Sequence, residues 1–367
     1  MRAVLCRLFL LVGLGAVDVQ AQVLRGRVVA AGDAVPITGA LVELQDSIGQ
    51  PMQRALTSAG GTFRFLPGRS GAFRVRVAAI GFAIHPIASI AATGGDVLLP
   101  DFRLEAVVAI LPDLVAAGKR RLCGREIVDD PLLGRLLEGA RTSLALMEQN
   151  IGLGTRYTVE EVRTRTITAV KPPRTNADTT RGELTKWPIE SINPALLREE
   201  GFARLLPLEE GKGRVYYGPD VQVLFADWFL DSHCFAFDAK PREGEQGMIR
   251  LTYEPKSKSK LVDIAGELLI DPATLSLREF TFVHRNLPGH IKQGAAGGMV
   301  GFANLEAGGW LPVRWEIYGP VESSQVPTRV VSVTRFSAGR VTSPPPLSPR
   351  PVVTGHVRLV GRVVEGG

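Results

Sequence analysis

The side chains able to do chemistry are few and badly spaced for it. The histidines are His85, His233, His284, His290 and His356. Zinc peptidases need an imidazole and a carboxylate at fixed spacing, such as two residues between His and Glu or a helical His-Glu-x-x-His, so that nitrogen and oxygen ligands converge on one ion. None of the five has Glu at those offsets, and no two are spaced as ligands on one helix face. His284 and His290 flank a turn, Asn286-Leu287-Pro288-Gly289, and all five read as structural or surface groups. No Gly-x-Ser-x-Gly elbow is present. Gly294-Ala295-Ala296-Gly297-Gly298 lacks the Lys-Ser/Thr ending of a phosphate-binding loop. His233 and Cys234 are adjacent, and neighbours on a helix point apart. Asp227, Asp231 and Asp238 are compatible with a carboxylate pair or with solvated helix charges. The sequence therefore predicts no catalytic residues, no metal and no cofactor, hence no enzyme.

Two other residue sets carry expectations. Cys123 and Cys234 are predicted to form a disulfide, because an isolated pair in an oxidising compartment more often bridges than ligates metal. All four Trp and all five Tyr lie beyond residue 150. The richest patches are Tyr216-Tyr217 and Trp310-Leu311-Pro312-Val313-Arg314-Trp315. A ring with a polar edge suits a half-wet surface, so Tyr216, Tyr217, Trp310 and Trp315 are the candidate ligand-binding residues.

Arg2 and Arg7, the apolar run Leu8 to Leu14, and Val19-Gln20-Ala21 before Gln22 make the three-part pattern of a secretory signal. The run is too short to span about 30 Å of hydrocarbon. No later stretch reaches eighteen apolar residues, so no transmembrane helix is expected after cleavage. The formal charge of +6 is spread along the chain without the clustered basic face that nucleic acid requires. The expected location is outside the cytoplasm, in the periplasm or at the outer membrane or cell surface. A partner there would be an envelope protein or a glycan.

The elements follow from periodicity. From Gln22 to Glu105 short alternating runs are separated by turns every eight to twelve residues, which predicts a seven-stranded β-sandwich. Alternation places Phe63, Phe65, Phe73, Val75 and Val77 inside and Arg64, Arg74 and Arg76 in water. Gly26-x-Val28, Pro36-x-x-Gly39-Ala40-x-Val42-x-Leu44, Thr57-x-x-Gly60-Gly61-x-Phe63-x-Phe65, Gly71-x-Phe73-x-Val75-x-Val77 and Ile80-Gly81-Phe82 resemble a carboxypeptidase regulatory-like domain. The resemblance implies a transthyretin-like or starch-binding-like sandwich that acts as an accessory module rather than a catalyst. Sugar-binding sandwiches stack their ligands on exposed rings, and residues 22–110 contain neither Trp nor Tyr.

Beyond residues 106–128, read as a linker, Asp129-Asp130-Pro131 opens a helix. Its apolar stripe is Leu132, Leu133, Leu136, Leu137, Ala140, Leu144 and Met147, and Gly152 ends it. Residues 156–170 read as a strand and 171–186 as a polar loop. One helix starts at Asn193-Pro194 and another at Pro219-Asp220. Six strands then run as a β meander from Met248 to Phe336. Overall the expectation is a mainly β chain: residues 1–21 a signal, 22–105 the sandwich, 129–337 an α+β domain with a curved antiparallel sheet. Residues 338–367 form a Pro-rich tail with a short final strand, in which Leu359-Val360-Gly361-Arg362-Val363-Val364 echoes Leu24-Arg25-Gly26-Arg27-Val28-Val29. The corresponding function is non-catalytic binding or scaffolding in the bacterial envelope. The alternatives are a carrier holding an apolar ligand against its C-terminal sheet and carbohydrate binding through the starch-binding-like fold.

Overall fold

The computed structural model describes residues 22–83, 85–92, 95–106, 121–152, 157–184, 187–189, 191–208, 211–238, 242, 245, 247–257, 259–305, 309–322, 330–342 and 359–360. The expected signal, residues 107–120 of the expected linker and the spacer containing Pro344 to Pro351 lie outside them.

Among the described residues eight strands, one more than expected, build the N-terminal sandwich. One sheet pairs β1 (Leu24–Ala30) with β4 (Thr62–Phe65), β7 (Val97–Leu98) and β8 (Phe102–Leu104); the other has the order β3 (Pro51–Leu56), β2 (Leu41–Gln45), β5 (Gly71–Ala78), β6 (Ala88–Ala92). The inward residues are those that alternation selects. Phe63, Phe65, Phe73, Val75 and Val77 are buried in one cluster with Leu24, Val28, Val42 and Leu44. The Gly60-Gly61 turn has a steric reason: Gly61 sits at φ 73° and its carbonyl accepts from Val28 N at 2.8 Å, so a side chain there would be strained and would strike the β1 backbone.

The larger part of the chain is organised on one ten-stranded antiparallel sheet. Its order is β11 (Arg174–Leu184), β10 (Tyr157–Ile167), β20 (Val330–Thr342), β19 (Gly309–Glu322), β18 (Gly297–Leu305), β17 (Leu277–Arg285), β16 (Asp263–Ile270), β15 (Ile249–Pro255), β14 (His233–Asp238) and β9 (Arg121–Cys123). The meander over 248–336 supplies β15 to β20. Two readings are corrected. Residues 174–184, expected as loop, form a strand paired with β10 over eleven positions, because Thr-rich sequence suits a pleated backbone once a partner strand is available. The helix expected from Pro219-Asp220 is broken into α4 (Val221–Leu224) and α5 (Asp227–Ser232), and His233 and Cys234 lie on β14 rather than on a helix. A hairpin of β12 (Ala203–Leu208) and β13 (Gly211–Tyr216), with β21 (Leu359–Val360) added to its edge, forms a three-stranded sheet.

Part of the stretch read as linker is structured: β9 is followed by α1 (Arg125–Asp129). Cys123 and Cys234 face each other across β9 and β14 and are bonded. Helix α2 (Pro131–Gly152) starts where the sequence places it, with Asp130 Oδ1 accepting from Leu132 N at 3.1 Å and Leu133 N at 2.9 Å. A shorter helix, α3 (Pro194–Glu200), is capped by Asn193. The α2 stripe Leu133, Leu136, Leu137, Ala140, Leu144 and Met147 is buried in the same core as Tyr157, Phe280, Phe282, Phe302, Leu311 and Ile317. Ser143 Oγ accepts from Leu277 N at 3.1 Å and Asn150 Nδ2 donates to the Trp310 carbonyl at 3.1 Å, so polar groups also fix the helix to the sheet.

Candidate ligand clefts at the junction of sandwich and helix

Helix α2 is shared. One face packs on the large sheet, and the stripe Glu138, Arg141, Thr142, Ala145 and Glu148, at helical spacing, turns toward the sandwich. The consequence appears on β2, whose five residues are all buried. Val42 and Leu44 enter the sandwich core, whereas Leu41 joins the core of the large sheet. Glu43 and Gln45, which alternation alone would leave in water, lie covered at 6% and 8% exposure. Arg76, expected in water, is paired with Glu138 of α2. Glu43 accepts from Arg54 Nε at 2.8 Å and from Gln45 Nε2 at 2.6 Å.

Two cavities flank this contact and share Glu138 and Thr142 as a wall. The first, of about 520 Å³, is mainly apolar, with Ile80 and Phe82 of the sandwich facing Gly134, Gly139 and Leu275; Asp130 and Arg135 add charge. Gly81 N donates to the Thr274 carbonyl at 3.0 Å and ties the sandwich to the turn that closes this cavity. The second, of about 790 Å³, is polar. It lies between Glu43, Arg54 and Arg76 of the sandwich and Glu138, Arg141 and Glu148 of α2. Both volumes fall in the roughly 300–1,000 Å³ range of small-molecule sites, which favour junctions of this kind.

In the polar cleft, burial pushes the Glu148 carboxyl up to about 7, with the nearby Asp220 carboxylate adding to the shift and the Arg54 guanidinium opposing it. Asp220 is itself raised by burial, against the hydrogen bonds it accepts as the cap of α4. Elsewhere burial pushes His284 down to about 4, opposed by hydrogen bonds with backbone groups at Ala296 and Tyr217. The two groups act on stability with opposite sign. Glu148 holds its proton more tightly folded than unfolded, so its contribution to stability falls as pH rises from about 4.5 to 7. His284 holds its proton less tightly folded, so stability is lost as pH falls from about 6.5 to 4. In Glu148→Gln only the first slope is removed. Urea denaturation between pH 5 and 7 should therefore show stability rising more steeply with pH in the variant than in wild type. Parallel curves would mean that Glu148 does not titrate in this window.

The four aromatic residues picked from sequence are not on a surface. Tyr216, Tyr217, Trp310 and Trp315 are 2–4% exposed and belong to the core around the large sheet. Trp315 Nε1 donates to Glu161 Oε2 at 3.4 Å, and Arg278 lies over the Trp310 ring at 5.7 Å. The Tyr217 carbonyl accepts from His284 Nε2 at 3.0 Å, and the Tyr216 ring meets the His284 ring edge-on. These rings are polar-edged core residues with no exposed face on which a ligand could stack. The histidines are dispersed: His233 sits between the Phe229 and Ile264 carbonyls, and His290 pairs with Glu322. Among the described residues no three His, Cys, Asp or Glu side chains are grouped to hold a metal ion, and no helix is long and apolar enough to cross a membrane. The cleft residues escaped the sequence reading because a charged helix stripe looks the same in water as under a docked sheet.

Residues 23–105 match the carboxypeptidase regulatory-like domain family, so this sandwich is a module of that non-catalytic type. No curated protein matches the chain. Among solved structures, similarity extends to a type II cohesin–X-dockerin complex from Acetivibrio cellulolyticus, at 18% identity over 26% of this chain and 70% of that one, with a TM-score of 0.18. A LolA superfamily protein from Nitrosomonas europaea aligns at 8% identity over 53% and 93%, with a TM-score of 0.22. A putative outer membrane lipoprotein-sorting protein domain from Vibrio parahaemolyticus aligns at 11% over 56% and 92%, with a TM-score of 0.24. At such scores these likenesses say nothing about function.

Proposed function

We propose that the chain is an exported, non-catalytic binding protein of the bacterial cell envelope, and that it takes up a single-chain lipid in the apolar cavity between the regulatory-like module and α2. The observation that carries this reading is the cavity itself, with Ile80, Phe82, Gly134, Gly139 and Leu275 giving an apolar interior and Asp130 and Arg135 a charged border for a polar end. Export is supported by the signal pattern and by the Cys123–Cys234 bridge, which is at home in an oxidising compartment. The site differs from a pocket against the large sheet, whose core side is filled by α2 and by Trp187, Phe280 and Phe302 in stacked contact. A sugar site on the module has little support, since Phe63, Phe65, Phe73 and Phe102 are all buried.

The test is displacement of an anthroyloxy-stearate probe, together with mass spectrometry of what co-purifies with the exported protein. A Cβ at Gly134 meets nothing within 4 Å and Gly134 lines the cavity, so Gly134→Leu places its side chain at an open position of the wall. Gly134 is the fourth residue of α2, and replacing a helical glycine also gains roughly 0.5–1 kcal/mol of helix propensity. The variant should lose the probe while melting no lower than wild type. A wild-type protein that purifies empty and ignores the probe would remove the lipid reading.

A further inference from the structure

The polar cleft is a second site with its own chemistry. It holds three carboxylates, Glu43, Glu138 and Glu148, and three guanidinium groups, those of Arg54, Arg76 and Arg141. Two of each are neutralised, as Glu43–Arg54 at 2.8 Å within the sandwich and as Arg76–Glu138 across the junction. Among the described residues neither Glu148 nor Arg141 has an ion-pair partner, so one charge of each sign is left facing a cleft of about 790 Å³. They cannot neutralise each other by simple contact: seven residues along one helix face separate their backbones by about 10.5 Å.

We propose that this cleft binds a short peptide with free termini, its ammonium group at Glu148 and its carboxylate at Arg141. A lone anion or cation would meet one leftover charge and leave the other facing the cleft uncompensated. A zwitterion meets both, and the distance selects its length. An extended chain advances about 3.3–3.6 Å per residue, so two or three residues bridge the gap that a free amino acid is too short to span. Thr142, Ala145, Gln50 and Gln222 also line the cleft; the first two are small, and the hydroxyl and the two amides can hydrogen-bond a peptide backbone. The carboxyl group of Glu148 is partly desolvated already, and an ammonium group beside it supplies charge stabilisation in place of the solvent that burial has withdrawn.

The experiment is calorimetric titration of the exported full chain at pH 7.5 with tri-alanine, N-acetyl-tri-alanine and tri-alanine amide. The free peptide should bind, and each cap should weaken it at least about tenfold, the scale of one lost charged hydrogen bond. Glu148→Gln should reproduce the loss caused by the acetyl cap and add nothing to it, and Arg141→Met should do the same for the amide. Binding of all three peptides alike, or of none, overturns the proposal, as does a requirement for only one terminus. The peptide series on wild type decides the matter even if a variant folds poorly. Neither Glu148 nor Arg141 lines the apolar cavity. The stearate probe therefore scores the lipid reading separately, and either proposal can fail alone.

Discussion

Converting both Cys123 and Cys234 to alanine should lower the stability of the folded chain by about 4–5 kcal/mol. The bridge closes a loop of 111 residues, and in the chain-entropy account a loop of about 100 residues takes close to 4.7 kcal/mol of entropy from the unfolded state. Local structure points the same way. Strand β9 has three residues and, among the described residues, pairs only with β14, so the covalent bond holds an edge that backbone hydrogen bonds alone secure weakly. Urea denaturation of wild type, of wild type under reductant and of the double variant provides the measurement. The last two should coincide at a much lower midpoint, with unchanged far-ultraviolet dichroism before the transition. A shift below about 1 kcal/mol would mean that the loop entropy is already limited in the unfolded chain.

Gly139→Ala should be nearly as damaging, on the order of 3 kcal/mol, although alanine is the best helix former. A Cβ at position 139 would stand 2.6 Å from the Leu275 Cβ and collide with the Leu275 carbonyl. Leu275 has little freedom to withdraw, since it is buried in the core and held at φ 54°, a conformation costly for a branched side chain. The helix must then back away from the turn that closes the apolar cavity, so stearate-probe affinity should fall together with the melting temperature. Gly134→Ala supplies the control. The same chemical change on the same helix meets open space and should stabilise by about 0.5–1 kcal/mol. Equal effects at the two positions would show that propensity, not the Leu275 contact, governs α2.

The sandwich was legible because its information is local. Alternation in Phe73-Arg74-Val75-Arg76-Val77 names the buried face, and a turn glycine such as Gly61 is demanded by its own backbone. The helix boundary at Asp130-Pro131 was legible for the same reason. Strand β11 was not, because Arg174 to Leu184 is mostly polar with no apolar alternation and becomes a strand by pairing with β10. Trp310 and Trp315 were misplaced since an indole suits a wet surface and a buried core alike, and for Trp315 the core supplies a polar partner. The partner of Trp315 is Glu161, 154 residues away. The stripe Glu138, Arg141 and Glu148 was missed because nothing in its periodicity records that a second sheet lies over it. Local pattern reports which face of an element is apolar. It does not report what covers the polar one.

Helix α2 answers to two neighbours at once, and this restricts how its length can change. A single inserted or deleted residue would turn everything beyond it by about 100°. Leucines would swing toward the sandwich and Glu148 toward the core of the large sheet. No loop could absorb the slip, for both faces are occupied. Drift in this segment should therefore proceed by substitution, or by whole turns, and the reading frame of the helix is pinned from both sides.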